Sequence, residues 1–118
     1  MAEPTSQIRI GDHSVIYERA KIESFGVGQI HIGKNSIVGD ARICCRQKIT
    51  IGNHLLTSWN VFIQDFDAHP VEAKLRSAQV EHMSHSFFPS FQVTPVITPF
   101  EFSFPTEEIS IGDNVWIG

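Results

Sequence analysis

Aliphatic residues recur at every sixth position over much of the chain. The spacing runs from Ile10 to Ile16 and Ile22, from Ile32 to Val38, from Ile51 through Thr57 to Ile63, and from Ile111 to Ile117. A period of six matches neither the 3.6-residue period of a helix nor the two-residue period of a long half-buried strand. The pattern predicts short strands that are joined by tight turns and that direct the aliphatic side chain inward.

Four segments repeat a common motif, in which Ile-Gly precedes two polar residues and a mostly small residue. They are IGDHSV at Ile10, IGKNSI at Ile32, IGNHLL at Ile51 and IGDNVW at Ile111. Glycine relaxes the backbone at a corner, and small side chains after it allow successive corners to stack, as at Ser14, Ala20, Ser36, Val61 and Val115. Units that each stack on their neighbours form a solenoid.

The repeat is interrupted in three places. ESFGVGQ at 23–29 adds residues and two glycines, which predicts a protruding loop, and within ARICCRQKIT at 41–50 the frame slips by about one residue. From 70 to 108 the repeat is absent, and this segment holds five of the six prolines, with weak helical character around VEAKLRSAQV. Six of the nine phenylalanines also lie there, namely Phe87, Phe88, Phe91, Phe100, Phe102 and Phe104. We expect this arm to pack against a neighbouring subunit, and packing against its own solenoid is the alternative.

The hexads resemble those of the hexapeptide-repeat family, the left-handed parallel β-helix of many acyltransferases. The resemblance implies an all-β, left-handed parallel β-helix within a single domain, 1–118. Its coils cover about 8–69 and 109–118, and the Pro- and Phe-rich loop or arm at 70–108 is inserted between them. The left hand comes from the resemblance, because parallel crossovers are normally right-handed.

A closer likeness is carried by ITIGNHLLTSWNVFIQDFDAHPVEAKLR, at 49–76, and by ISIGDNVWIG, at 109–118. Both segments resemble the galactoside and maltose O-acetyltransferase branch of that family. The resemblance implies a transfer of acetyl from acetyl-CoA to a hydroxyl of a saccharide or similar small acceptor, in a homotrimer. The histidine of the His-Pro step is the family's general base, and His69 occupies that position. An imidazole suits this role because it can accept the hydroxyl proton near neutral pH.

Further site residues follow from the same likeness and from position in the chain. Asp65 and Asp67 lie shortly before His69 and are candidates to orient its ring, since a partner that fixes the tautomer improves such a base. Trp116 matches the aromatic residue of the family's NVWIG motif and is expected near the acyl site. Trp59 and Asn60, in the coil before His69, are expected to line the substrate site.

Composition excludes several classes of function. The net charge is −4 and the basic residues form no cluster, which argues against a nucleic-acid partner. No apolar run is long enough to cross a bilayer, and Met1–Gln7 lacks the apolar core of a secretion signal. With the adjacent cysteines Cys44 and Cys45 expected to be reduced, the chain is predicted to be cytoplasmic.

No metal site is expected, although the same fold carries zinc-dependent carbonic anhydrases. His82 and His85 fall in the interruption, while His13, His31 and His54 follow or precede Ile-Gly corners and are expected to face solvent.

The chain departs from the family in two ways. ARICCRQKIT lacks the usual sugar-contacting pattern, so the resemblance assigns no acceptor residue there. Family members also continue with further coils, along which acetyl-CoA lies between two subunits, whereas this sequence stops at Gly118. We therefore expect a lower affinity for the coenzyme in a chain truncated at the C-terminus. The alternative function is a catalytically inactive β-helix module that serves assembly or binding.

Overall fold

The computed structural model describes residues 5–87 and 100–118. The chain divides into two compact units. We call the first, Met1–Phe66 with Thr106–Gly118, the sheet unit, and the second, Asp67–Pro105, the helix unit. No helix in the described part of the chain is long and apolar enough to cross a membrane.

The sheet unit contains three parallel sheets, which the chain visits in turn. Sheet 1 has the order β1-β4-β7-β10, sheet 2 the order β2-β5-β8-β11 and sheet 3 the order β3-β6-β9. The strands of sheet 1 are β1 Gln7–Ile10, β4 Gln29–Ile32, β7 Lys48–Ile51 and β10 Ile109–Ile111. Those of sheet 2 are β2 Val15–Ile16, β5 Ile37–Val38, β8 Leu56–Thr57 and β11 Trp116–Ile117. Sheet 3 contains β3 Lys21–Ser24, β6 Ala41–Cys45 and β9 Val61–Gln64.

One pass through the sheets is called a rung here, so that rungs 1, 2 and 3 begin with β1, β4 and β7, and rung 4 with β10. The aliphatic positions of the repeat pair from rung to rung, as in Ile10↔Ile32↔Ile51 of sheet 1. The residues of rungs 2 and 3 that fill these positions are buried in one core, to which all three sheets contribute. The predicted inward direction of the sixth-residue positions is therefore confirmed, and the protein is mostly β with parallel sheets.

Each Ile-Gly corner turns through a residue in the left-handed region of backbone space. His13, Asn35, His54 and Asn114 occupy the same place in the four motifs, with φ between 54° and 60°. Asparagine and histidine are among the non-glycine types that tolerate this region best. Position 33 requires glycine for a different reason. A Cβ there would overlap the backbone of Gly52 on the next rung.

The small residues after the corners stack as predicted. The Ser14 hydroxyl donates to the carbonyl of Gly33 at 3.1 Å and accepts from the amide of Ser36, also at 3.1 Å. Ser36 is buried, and its own hydroxyl accepts from the amide of Leu55 at 3.2 Å. These hydroxyls link three successive rungs and satisfy backbone groups that the short strands leave without sheet partners.

A frame slip of one residue occurs at the corner between β5 and β6, at the start of the segment 41–50 for which it was predicted. Val38 and Ile43, the inward residues on either side of this corner, are five positions apart, whereas rungs 1 and 3 use six. The missing residue belongs to the turn Gly39–Ala41, where the Ala41 amide donates to the Gly39 carbonyl at 2.8 Å. The extra residues at 23–29 form a longer turn at Phe25–Gly28, in which Gly26 has φ of +60°.

The helix unit contains α1, Ala73–Phe87. This helix confirms the helical character predicted around residues 71–80 and extends beyond it. In the following segment the rings of Phe100 and Phe102 have centroids 6.3 Å apart, and those of Phe102 and Phe104 have centroids 5.4 Å apart. Phe88 and Phe91 lie outside the described residues, as does the side chain of Phe87. The expected packing of the arm on another subunit stays a prediction.

Candidate functional site

His69 lies just before α1 and makes a short side-chain hydrogen bond. Its ring is exposed, and its Nδ1 lies 2.7 Å from Oε1 of Gln79, a residue of α1. Gln79 is buried, with 7% of its surface exposed. A buried polar side chain that contacts an exposed imidazole is well suited to hold that ring in one orientation.

The second hydrogen bond of Gln79 determines which ring nitrogen carries the proton. Its Nε2 donates to the carbonyl of Ala68 at 3.0 Å, and a carbonyl oxygen accepts but never donates. The amide oxygen of Gln79 therefore faces His69, and Nδ1 must supply the hydrogen of the 2.7 Å contact. In the neutral ring this leaves the lone pair on Nε2, which is the form that a general base requires.

Arg76 connects the same helix to the His-Pro turn. Its Nη1 donates to the carbonyl of Val71 at 2.8 Å and to that of Pro70 at 3.2 Å. Pro70 is buried, and its ring fixes the backbone directly after His69. Two side chains of α1, those of Arg76 and Gln79, thus hold the carbonyls of residues 68, 70 and 71 around the imidazole.

The two aspartates predicted to orient His69 lie in different units. Asp67, in the helix unit, is exposed, and its amide donates to the carbonyl of Pro105 at 3.0 Å. Asp65 belongs to the sheet unit, and its orienting role and that of Asp67 stay predictions. The side chain that contacts Nδ1 of His69 in the structure is that of Gln79, which sequence reasoning did not single out.

Asp65 closes the turn between β6 and β7. Its carboxylate, 4% exposed, accepts from the amides of Arg46, Gln47 and Lys48 at 2.7, 2.9 and 2.7 Å. Arg46 and Gln47 form the turn and Lys48 begins β7, and an ionised carboxylate is a strong acceptor for their three consecutive N–H groups. Asp65 therefore ties rung 3 to the corner that begins it.

The same carboxylate affects a buried thiol. Sγ of Cys45 lies 3.3 Å from Oδ2 of Asp65, and the thiol donates. Burial raises the pKa of Cys45 to about 11, and the hydrogen bond and charge of Asp65 add to this effect. Burial also raises the pKa of the neighbouring Cys44. Both cysteines are free and buried, as the prediction of reduced thiols requires.

The predicted substrate-lining residues lie in the sheet unit. Trp116, on β11, is 72% exposed, and its Nε1 donates to the hydroxyl of Ser58 at 3.0 Å. Ser58 directly precedes Trp59, which is 78% exposed, and Asn60, whose φ is 57°. The structure thus brings Trp116 to the corner of rung 3 that carries Trp59 and Asn60.

The histidines of the repeat are exposed at positions 13, 31 and 54, as predicted. His82 is half-buried, and its ring lies tilted by 37° to that of Phe100, with ring centroids 6.3 Å apart. Within residues 5–87 and 100–118, no three His, Cys, Asp or Glu side chains approach closely enough to hold a metal ion.

Gln79 is the residue of the site that the sequence analysis missed. It comes ten residues after His69, in a segment whose helical pattern is weak, and glutamine is an ordinary helix-surface residue. Gln79 could have been identified if the position of α1 beside the His-Pro turn had been known, since Arg76 and Gln79 lie three positions apart and share a helix face.

Comparisons with family models, with curated proteins and with solved structures found no match to this chain.

Proposed function

We propose that this protein is an acetyl-CoA-dependent O-acetyltransferase that uses His69 as its general base. The observation that carries the proposal is the hydrogen-bonded series from the Ala68 carbonyl through Gln79 to Nδ1 of His69. It supports the neutral tautomer with the lone pair on Nε2. We further propose that the three parallel sheets are those of a left-handed β-helix, on the basis of the six-residue repeat.

The proposed step begins with a hydroxyl of a saccharide or similar small acceptor. Nε2 of His69 takes the hydroxyl proton as the oxygen attacks the thioester carbonyl of acetyl-CoA. The C–S bond then breaks, an O-acetyl ester remains on the acceptor, and the coenzyme leaves as a thiolate. The imidazolium returns its proton to that thiolate, so the products are the ester and free CoA, and His69 is regenerated.

Other parts of the proposal concern the substrate and the assembly. Trp116, Trp59 and Asn60 are proposed to line the substrate and acyl site, and a homotrimer is proposed to bring sites to the subunit boundaries. The exposed side chains of Trp59 and Asn60 at one corner, and the hydrogen bond of exposed Trp116 to Ser58 of that corner, support the first statement. The contiguous rings of Phe100, Phe102 and Phe104 support an arm that packs as one apolar segment.

The test is product formation. The purified chain is incubated with acetyl-CoA and a panel of mono- and disaccharides, and acetylated sugars are detected by mass spectrometry. His69→Ala should abolish the product, whereas His85→Ala should not, because His85 is an exposed histidine near the end of the same helix. Sedimentation of the same samples reports whether either substitution changes assembly.

The outcomes separate the two candidate functions. Equal turnover by the parent and the His69→Ala protein would refute the role of this histidine. If the folded parent neither binds acetyl-CoA in a calorimetric titration nor acetylates any acceptor, the protein is a non-catalytic module for assembly or binding.

A further inference from the structure

The shortened corner of rung 2 creates a recess in the sheet unit. At the same place rungs 1 and 3 carry one more residue and project exposed side chains, while Gly39 is buried and Asp40 is half-buried. The Gly39 amide donates to the hydroxyl of buried Thr57 at 2.7 Å. A Cβ on Gly39 would meet the Thr57 carbonyl oxygen at 2.6 Å, so glycine is required at the floor of the recess.

Two aromatic side chains flank this floor. Tyr17, on rung 1, is 54% exposed, and Trp59, on rung 3, is 78% exposed. Both line the same two adjoining cavities, of about 480 and 580 Å³. Their backbones are two rung spacings apart, roughly 9–10 Å at the usual distance between neighbouring strands. The absence of a side chain on Gly39 leaves room between them for one ring.

The larger cavity adds polar groups of complementary kinds. Asp40 supplies a carboxylate acceptor, Asn60 an amide that both donates and accepts, and Arg19 a guanidinium donor. Glu18 lines the cavity as well, so two carboxylates face one guanidinium. This balance disfavours an anionic ligand, such as a nucleotide or a sugar phosphate.

We propose that the recess between Tyr17 and Trp59 binds a neutral hexopyranose. One face of such a ring presents C–H groups that pack on aromatic surfaces, and its rim carries hydroxyls that donate and accept. The recess offers this combination, with aromatic side chains on both sides and Asp40 and Asn60 at its polar edge. A large exposed tryptophan next to such groups is typical of recognition surfaces.

The choice of a saccharide rests on the proposed function, but binding in the recess requires neither acetyl-CoA nor His69. The two proposals therefore fail separately. If the protein binds sugar but transfers no acetyl group, the binding site in the recess is supported and the acetyltransferase activity is refuted. If substitutions in the recess leave acetyl transfer unchanged, including the KM for the acceptor, the activity is supported and the binding site is refuted.

The experiment uses the intrinsic tryptophan fluorescence of the unsubstituted protein. The chain has two tryptophans, Trp59 in the recess and Trp116, and their combined emission is followed. This protein is titrated with methyl galactoside, methyl glucoside, methyl mannoside and maltose. We expect a saturable change with a Kd of about 1–10 mM for at least one sugar, as suits a shallow site. No saturable change with any of the four sugars overturns the proposal.

Substitutions in the same protein locate the binding. Tyr17→Ala should weaken it by roughly two- to tenfold, the loss of one aromatic contact. The matched control is His31→Ala, which removes an exposed side chain from the outer face of sheet 1 and should leave the Kd unchanged. An unchanged Kd in Tyr17→Ala, or an equal loss in His31→Ala, refutes the site.

A one-residue insertion tests the recess itself. A glycine placed after Asp40 gives the corner of rung 2 the length found in rungs 1 and 3. We expect this protein to keep the circular dichroism of the parent and to lose sugar binding. If the insertion prevents folding, Asp40→Asn and Asn60→Ala replace it, and undiminished binding in both would contradict the polar edge that we assign.

Discussion

The carboxylate of Asp65 gives the most quantitative prediction about stability. Asp65→Ala removes the acceptor of three backbone amides, at 2.7, 2.9 and 2.7 Å. Hydrogen bonds to a charged group contribute roughly 1.5–3 kcal/mol each, so the three together set an upper range of about 4.5–9 kcal/mol. Lys48 is exposed, and Arg46 and Gln47 are half-buried, so water can replace part of the lost interactions. We therefore expect a loss of roughly 3–5 kcal/mol in the free energy of unfolding.

A loss of that size is a large fraction of the stability of a small domain, typically about 5–15 kcal/mol. The measurement is urea unfolding followed by circular dichroism, with the slope of the transition reported beside its midpoint. The matched control is Asp67→Ala, which removes an exposed aspartate two residues away and should change the free energy of unfolding by less than about 0.5 kcal/mol.

Asp65→Asn provides an intermediate case. The amide is nearly isosteric and keeps one oxygen for the turn, but its NH2 group faces an amide donor in place of the second oxygen. We expect a loss between those of Asp65→Ala and Asp67→Ala. A loss below about 1 kcal/mol in Asp65→Ala would refute the reasoning, since three charged hydrogen bonds cannot be replaced at so small a cost.

Three further predictions follow from separate features. Gln79→Ala should lower kcat by roughly 10–100-fold. In this variant, nitrogen NMR of the His69 ring should report a mixture of tautomers in place of one. An unchanged spectrum would contradict the positioning role of Gln79. The free energy of unfolding should fall as pH rises from about 9 to about 11, because unfolded Cys45 ionises first while its folded pKa is about 11. This decline contributes on the order of 1–3 kcal/mol and should be smaller in Cys45→Ala, where Cys44, whose pKa is also raised by burial, still contributes. Gly33→Ala should cost roughly 1–3 kcal/mol in urea unfolding, whereas Gly112→Ala, with open space around a Cβ, should cost much less.

The parallel sheets were predictable because each rung buries aliphatic residues at the same spacing and turns at similar corners. An inward aliphatic residue at every sixth position and a glycine at each Ile-Gly corner mark the strands and turns, and the structure has both where the pattern predicts them. Even the slip after Val38 was visible, although its location in the Gly39–Ala41 turn was not. A missing residue shifts all later aliphatic positions of the repeat by one. The sequence therefore shows that a shift has occurred more clearly than it shows which turn lacks the residue.

The candidate site was less accessible to sequence reasoning. His69 stood out through its His-Pro step, but the side chain that contacts its Nδ1 comes from α1, and no local pattern predicts how a helix packs beside a turn. Asp65 illustrates the opposite difficulty. Its proximity to His69 in sequence suggested a role at the imidazole, which stays a prediction, and no sequence pattern indicated that its carboxylate accepts from the amides of residues 46–48.

The turns of the sheet unit absorb differences in chain length without altering the core. The corner before β6 lacks a residue, the turn before β4 has four residues where that before β7 has two, and a 44-residue segment separates β9 from β10. The inward residues still align across all of these changes. We therefore expect this scaffold to tolerate foreign peptides at its corners, and the exposed Gly26–Val27 turn is a suitable place to graft an epitope or an affinity tag.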